Sequence, residues 1–67
     1  MAGRECCRGL VVLGFAEVRQ RGSHVVMRRG ESGCVVPMHK EVKTGTLAGV
    51  LRQAGVSAEE FLAALKG

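Results

Sequence analysis

The chain has 67 residues, enough for one domain over residues 1–67, and a chain of this length buries only about 60% of its unfolded surface. Its composition, 46% hydrophobic and 24% charged, is that of an ordinary globular protein and excludes a disordered tail or a fibrous repeat. The net charge of +4 fits a polyanionic partner and a solvated basic face equally well, whereas an aromatic content of only two phenylalanines argues against binding RNA by stacking its bases on aromatic side chains.

The first predicted element is a helix over residues 4–13. Cys6, Leu10 and Leu13 follow the spacing of one helix face. Gly9 lies inside this helix, where glycine costs about 1 kcal/mol relative to alanine unless a neighbouring side chain packs closely against it. Gly9 therefore weakens the prediction of this helix. No apolar run is long enough for a membrane span or a secretory signal, so we expect a cytoplasmic protein.

Three alternating runs then predict an antiparallel sheet. They cover residues 15–20, 23–29 and 34–38, and the glycine-rich stretch 30–33 between the last two predicts a hairpin with a four-residue loop. In the first strand, alternation places Glu17 and Arg19 on the same side.

The four-residue loop fixes a register for the hairpin. It places Val25 opposite Met38 on a wholly apolar face, which burial favours. On the other face it places His24 opposite His39, with their Cβ atoms about 5 Å apart. We therefore predict that the two imidazoles are direct cross-strand neighbours.

The last third of the chain predicts two helices. An amphipathic helix covers residues 46–54 and ends at Gly55, and a short helix follows Ser57, which forms a capping box with Glu60. The apolar residues expected to face the core from the short helix are Phe61, Leu62 and Leu65. The predicted fold is α+β: a helix, a three-stranded antiparallel sheet, a helix and a short C-terminal helix, with the helices on one face of the sheet and the other face open.

The positive charge is concentrated in the middle of the chain. Six of the ten cations but only two of the six carboxylates lie between residues 19 and 43, so this segment carries the whole excess. The candidate phosphate ligands on or near the open face are Arg19, Arg21, Arg28, Lys40 and Lys43. The alternative is a solvated basic face with no partner.

The three cysteines predict neither a disulfide framework nor a zinc ribbon. Their number is odd and no two have the C-x-x-C spacing, so we expect buried reduced thiols. A metal site assembled from Cys34, His39 and the Cys6–Cys7 pair has no recognisable ligand spacing. We therefore expect neither a metal nor another cofactor.

The two histidines on the open face have the chemistry that RNA cleavage without a metal requires. Cleaving RNA without a metal requires a group that accepts the 2′-hydroxyl proton, a group that protonates the leaving 5′-oxygen, and cations for the charged phosphorane. Histidine suits both proton roles because its unperturbed pKa is about 6.5. His24 and His39 are therefore candidate catalytic residues, although both could be ordinary exposed strand residues. A serine hydrolase built on Ser23 is disfavoured, because the chain contains no aspartate to orient the base.

Several motifs, in this order, resemble the HicA family of toxins. They are Gly14-Phe15, Val18-Arg19-Gln20-Arg21-Gly22-Ser23-His24, Val36-Pro37-Met38-His39, Gly45-Thr46-Leu47 and Val50-Leu51-Arg52-Gln53-Ala54-Gly55. The likeness extends from about residue 5 to about residue 65. The departures, Cys6-Cys7 and Gly9, lie in the first helix and concern its packing rather than the chemistry.

The resemblance implies an mRNA interferase of a bacterial or archaeal toxin–antitoxin pair, with a fold like that of double-stranded-RNA-binding domains. His24 matches the catalytic histidine of the family's Gly-Ser-His motif, and Gly22 and Ser23 match the rest of it. His39 matches a histidine that is frequent after the Val-Pro step; its proton role is our inference from the pairing.

The resemblance also implies a HicB-type antitoxin, which we expect to cover the His24 face. The rival hypothesis is a non-catalytic RNA-binding module, or a degenerate toxin, that uses the same basic face.

Overall fold

The chain folds as a helix, three antiparallel strands and two further helices, which confirms the predicted α+β class and element order. The computed structural model describes all 67 residues. The elements are α1 (Gly3–Val12), β1 (Ala16–Arg21), β2 (His24–Arg29), β3 (Ser32–Pro37), α2 (Thr44–Ala54) and α3 (Ala58–Lys66). The strands form one sheet in the order β1-β2-β3, so β2 is central. None of the helices has the length and hydrophobicity that crossing a membrane requires.

Both hairpins close through two-residue loops. These are Gly22-Ser23 and Gly30-Glu31, and the glycine has a positive φ in each, 56° and 59°. Glycine at the first central position is what a type II′ hairpin turn requires, and that turn matches the twist of the flanking strands. The predicted four-residue loop is therefore wrong, because Ser32 and Gly33 belong to β3.

The shorter loop shifts the register of β3 by two residues. Val25 pairs with Val36, and His24 pairs with Pro37. A shift of two residues preserves the face on which each side chain lies, because side chains alternate with a period of two. The predicted apolar face is therefore confirmed, whereas the predicted pairing of His24 with His39 is wrong.

A bulge in β1 corrects a second prediction. Glu17 pairs with Met27 and Arg19 pairs with Val26, so Val18 is an extra residue between them. Residues directly opposite each other share a face, which places Arg19 on the open face with Val26. Glu17 lies on the helix-covered face with Met27, contrary to the alternation that the sequence predicted.

The core lies between the helix-covered face of the sheet and the helices. Its largest fully buried side chains are Phe61, Leu10, Met27, Val25, Val36 and Cys6. Gly9 has the close neighbour that its place in α1 demands: a Cβ atom added there would lie 2.7 Å from Cε1 of Phe61. In α3 the prediction for Leu62 is wrong, because its side chain is 54% exposed and Ala64 is buried instead.

Arg29 lies on the helix-covered face and stabilises the fold. Its Nη1 donates a hydrogen bond of 2.7 Å to the carbonyl of Leu13, just after α1, and its guanidinium lies 4.7 Å from the centre of the Phe15 ring. A carbonyl at a helix end has no partner within the helix, and the bond supplies one. Arg29 is thus a structural cation, distinct from those of the open face.

The helix ends follow the sequence signals. Gly55 adopts the left-handed conformation, with φ 73°, and ends α2. The Ser57 hydroxyl accepts a hydrogen bond of 3.1 Å from the Glu60 N–H, and the Glu60 carboxylate accepts one of 3.2 Å from the Ser57 N–H. Helix α2 packs along β3, which is an edge strand, and so borders the open face of the sheet.

Candidate functional site

The two histidines line one groove on the open side of the molecule. The groove lies between the ends of β2 and β3 on one side and α2 on the other, and its volume is about 770 Å³. Both imidazoles are exposed, so each is accessible to a ligand in the groove. The structure therefore brings His24 and His39 to the same site, although not as strand partners.

His24 is held by the turn that precedes it. Gly22 provides the positive φ that turns the chain, and His24 is the first residue of β2. Its strand partners are Arg21 on β1 and Pro37 on β3. Because β2 is the central strand, the backbone that carries the imidazole is fixed on both sides. Ser23 lies in the turn and is exposed.

His39 is held by backbone contacts after the end of β3. The Met38 N–H donates a hydrogen bond of 2.6 Å to the Ser23 carbonyl, and the His39 carbonyl accepts one of 2.9 Å from the Gly3 N–H. A Cβ atom at Gly3 would lie 2.2 Å from the Pro37 carbonyl oxygen, so only glycine fits there. The first turn of α1 thereby positions the segment that carries His39.

The predicted phosphate ligands fall into two groups. The first group lies on the open face of the sheet. Arg21 is there because it pairs with His24, and Arg19 because it pairs with Val26. Arg28, which pairs with Ala16, lies on the same face. The second group follows β3. Lys43 lines the groove, whereas Lys40, which follows His39 in the sequence, is exposed but does not line the groove.

These cations have no carboxylate partner within the chain. The single ion pair joins the amino group of Met1 to Glu41, which is the one carboxylate that lines the groove. Unpaired cations around two exposed imidazoles make the groove attractive to a polyanion.

Sequence reasoning missed the wall of the groove that α2 provides. Its residues include Thr46, Gly49, Arg52 and Gln53. Thr46, Gly49 and Gln53 are spaced i, i+3 and i+7, and they form a stripe of polar or small residues beside the apolar stripe that predicted the helix. The stripe could have been read from the sequence, but its position beside His24 depends on the packing of α2 against β3.

The cysteines form part of the core, as predicted. All three are buried and unpaired. Burial raises the pKa of the Cys6 thiol to about 12 and that of Cys34 to about 11, with neighbouring cysteines adding to the effect. Burial and the charge of Glu17 raise the pKa of Cys7. No group of three or more histidine, cysteine or acidic side chains is arranged to hold a metal ion.

We expect the thiols of the folded chain to resist alkylation at pH 8. The thiolate is the reactive species, and a pKa of about 12 in place of 9.0 lowers its fraction at Cys6 by about a thousandfold. Labelling of Cys6 and Cys34 by iodoacetamide, followed by mass spectrometry, should be at least about a hundredfold slower in buffer than in urea, and labelling of Cys7 should also be slower. Equal rates in the two conditions would contradict the buried positions of the cysteines.

A comparison with known protein families gives a match. A family model described as the HicA toxin of bacterial toxin–antitoxin systems matches residues 3–56. The chain therefore belongs to the HicA toxin family, and as such it is the toxin of a toxin–antitoxin pair and has an antitoxin as its partner. A search of curated proteins found no match. The matched residues include the groove and end before α3.

Proposed function

We propose that this toxin is a metal-independent endoribonuclease that cleaves mRNA and thereby inhibits translation and growth. The observation that carries the proposal is the exposed His24 imidazole in a groove bordered by cations that have no carboxylate partner. A single-stranded RNA can lay its phosphates along the cationic face while one phosphate reaches His24. The strength of that attraction falls with salt, as for any phosphate ligand.

The reaction needs two proton transfers. A base takes the proton of the 2′-hydroxyl, the freed oxygen attacks the adjacent phosphorus, and an acid protonates the departing 5′-oxygen. The products are a 2′,3′-cyclic phosphate and a 5′-hydroxyl end. We assign one proton transfer to His24, as base or acid, and the other to His39, which lines the same groove.

The cations have an electrostatic role in this scheme. Negative charge develops on the phosphorane, and positioned cations lower the energy of that state. The residues assigned to hold phosphates are Arg19, Arg21, Arg28, Lys40 and Lys43. Gly22 and Ser23 support the site by forming the turn that presents His24.

We also propose that the antitoxin is of the HicB type and covers the His24 face. In so small a protein, covering the imidazole and its cations is the most direct way to prevent RNA from binding. Hydrogen exchange, compared between the free toxin and the complex, should show added protection of the Gly22-Ser23 turn before β2 and of the segment around His39. A complex that leaves both unprotected would mean that inhibition works by another route.

A second candidate function is RNA binding without cleavage, as in a degenerate toxin. It is favoured by the register of the hairpin, because strand pairing does not place the two imidazoles directly opposite each other. The same cationic face would then hold RNA, and only turnover distinguishes the two functions.

The ends of the RNA products test the proposed reaction. Purified chain should cut a single-stranded RNA in the presence of EDTA and leave 2′,3′-cyclic phosphate and 5′-hydroxyl ends, because histidines and cations carry the chemistry. The ends can be identified by their response to polynucleotide kinase. Products with 3′-hydroxyl ends, or activity abolished by EDTA and restored by a divalent metal, would contradict the mechanism.

A further inference from the structure

The wall that α2 contributes to the groove has features that the core does not require. Gln53 and Gly49 both lie on this wall, together with Thr46. The side of α2 that faces the core consists of Val50, Leu51 and Ala54, all buried, and of these only Val50 also lines the groove.

The Gln53 amide is oriented by the edge of the sheet. Its Oε1 accepts a hydrogen bond of 3.3 Å from the Val35 N–H, a backbone donor that no other strand satisfies. With its oxygen directed to β3, the amide has both Nε2 hydrogens without an acceptor in the chain. Gln53, which lines the groove, therefore has two free donors to offer a ligand.

No side chain packs closely against Gly49, whereas Phe61 packs against Gly9. It lies in the middle of α2, where glycine destabilises a helix relative to alanine, yet a Cβ atom at this position would meet nothing within 4 Å. No contact inside the chain therefore requires a glycine. The free space above Gly49 belongs to the groove, and a missing side chain there allows a ligand to approach the helix backbone.

The groove is suited in size and charge to part of a nucleotide chain. Its volume of about 770 Å³ lies within the range of about 300–1,000 Å³ that is usual for sites binding small molecules. Lys43 and Arg52 line it and can hold phosphate, and an Arg guanidinium can also stack on a base where no aromatic side chain is present. Base edges carry carbonyl and ring-nitrogen acceptors, which match the donors of Gln53.

We propose that this groove holds a nucleotide next to the phosphate cleaved at His24, and that Gln53 selects its base by donating hydrogen bonds from Nε2. Gly49 provides the space in which that base approaches α2. This inference rests on the proposed function for the identity of the ligand, and it assigns the residues that determine sequence preference.

The test measures binding, so that it does not depend on turnover. Four short RNAs, made non-cleavable by 2′-O-methyl groups, differ only in the base at one position, and the affinity of the chain for each is measured. We expect wild type to prefer one or two bases by about tenfold, a difference that one or two hydrogen bonds can supply.

Two variants, each with a control substitution at Ala48, test whether Gln53 and Gly49 determine the base preference and the affinity. Gln53→Glu keeps an oxygen for the Val35 N–H but replaces both donors, so it should abolish the preference, whereas Ala48→Glu adds the same charge to an exposed position of α2 outside the groove and should preserve it. Gly49→Leu should weaken binding of all four RNAs by at least about tenfold, and Ala48→Leu should not.

The outcomes separate this inference from the proposed function. If wild type binds with a base preference that Gln53→Glu abolishes but does not cleave unmodified RNA, the groove assignment holds and the nuclease proposal fails. If wild type cleaves but Gln53→Glu and Gly49→Leu keep its preference and affinity, the groove assignment is overturned. It is also overturned if these variants weaken only antitoxin binding, because the groove would then dock the protein partner.

Discussion

Replacing His24 by alanine should lower the rate of RNA cleavage by about 10²–10⁴-fold, the contribution that one positioned acid or base makes. Binding should change little, because the cations of the open face remain. His24 is exposed and lines the groove, so its removal opens no cavity in the core. The measurement is single-turnover cleavage of a labelled RNA together with its dissociation constant in the non-cleavable form.

Ser23→Ala is the matched control for this variant. Ser23 is the exposed neighbour of His24 in the turn, and its carbonyl rather than its hydroxyl makes the contact to Met38. It should therefore cleave nearly as fast as wild type. His24→Ala with unchanged cleavage would remove His24 from the mechanism, and a comparable loss in Ser23→Ala would point to a disturbed turn instead of lost proton transfer.

Replacing Phe61 by alanine should lower the free energy of unfolding by about 3–5 kcal/mol, as for other buried aromatic side chains. Phe61 is only 1% exposed and fills the space that Gly9 leaves on α1. A domain of this size rarely has more than about 3–5 kcal/mol of stability from its core, so most of the variant should be unfolded at room temperature. Urea titration followed by circular dichroism gives the free energy of unfolding of the wild type, and the circular dichroism of Phe61→Ala without urea shows how much of the variant remains folded.

The neighbouring residue provides the control for stability. Leu62 is 54% exposed, so Leu62→Ala should change the free energy of unfolding by less than about 0.5 kcal/mol. Phe61 lies in α3, beyond the residues that match the family, and a large effect would show that α3 is needed for the fold of the matched part. Equal, small effects of the two substitutions would contradict the packing of α3 against α1.

Local signals in the sequence predicted most of the fold. Gly55 ends α2, and Ser57 and Glu60 form the capping box, both as expected. These two signals depend on backbone geometry or on a contact within a few residues. Gly9 weakened the prediction of α1, and the structure supplies the close neighbour that accounts for a glycine there. The neighbour itself, Phe61, is distant in sequence, and its identity could not be read from α1.

The register and the bulge were not accessible to the same reasoning. Two glycines, Gly30 and Gly33, flank a polar pair, and the pattern does not show which of them turns the chain. Gly30-Glu31, like Gly22-Ser23, is a glycine followed by a polar residue. This similarity was the available signal for a two-residue loop. Nothing local distinguishes Val18 as an extra residue, because a bulge depends on how β1 pairs with β2.

The site was predicted in its residue types rather than in its shape. The histidines and most of the cations lie where the pattern placed them, on the open side, but Pro37 rather than His39 pairs with His24. The groove exists because α2 packs beside the edge strand β3, a tertiary contact that the amphipathic pattern of α2 does not encode. Gln53 and Gly49 could therefore be assigned only from the structure.

Cleavage of mRNA by His24 is tested most directly by mapping new mRNA 5′ ends in bacteria after induction of the wild-type chain or of His24→Ala, with growth recorded in parallel. We expect growth arrest and new 5′-hydroxyl ends with the wild type only, both suppressed when the antitoxin is produced as well. Soluble, folded wild-type protein that arrests growth without new mRNA ends, or new ends that persist in His24→Ala, would show that His24 does not cleave mRNA.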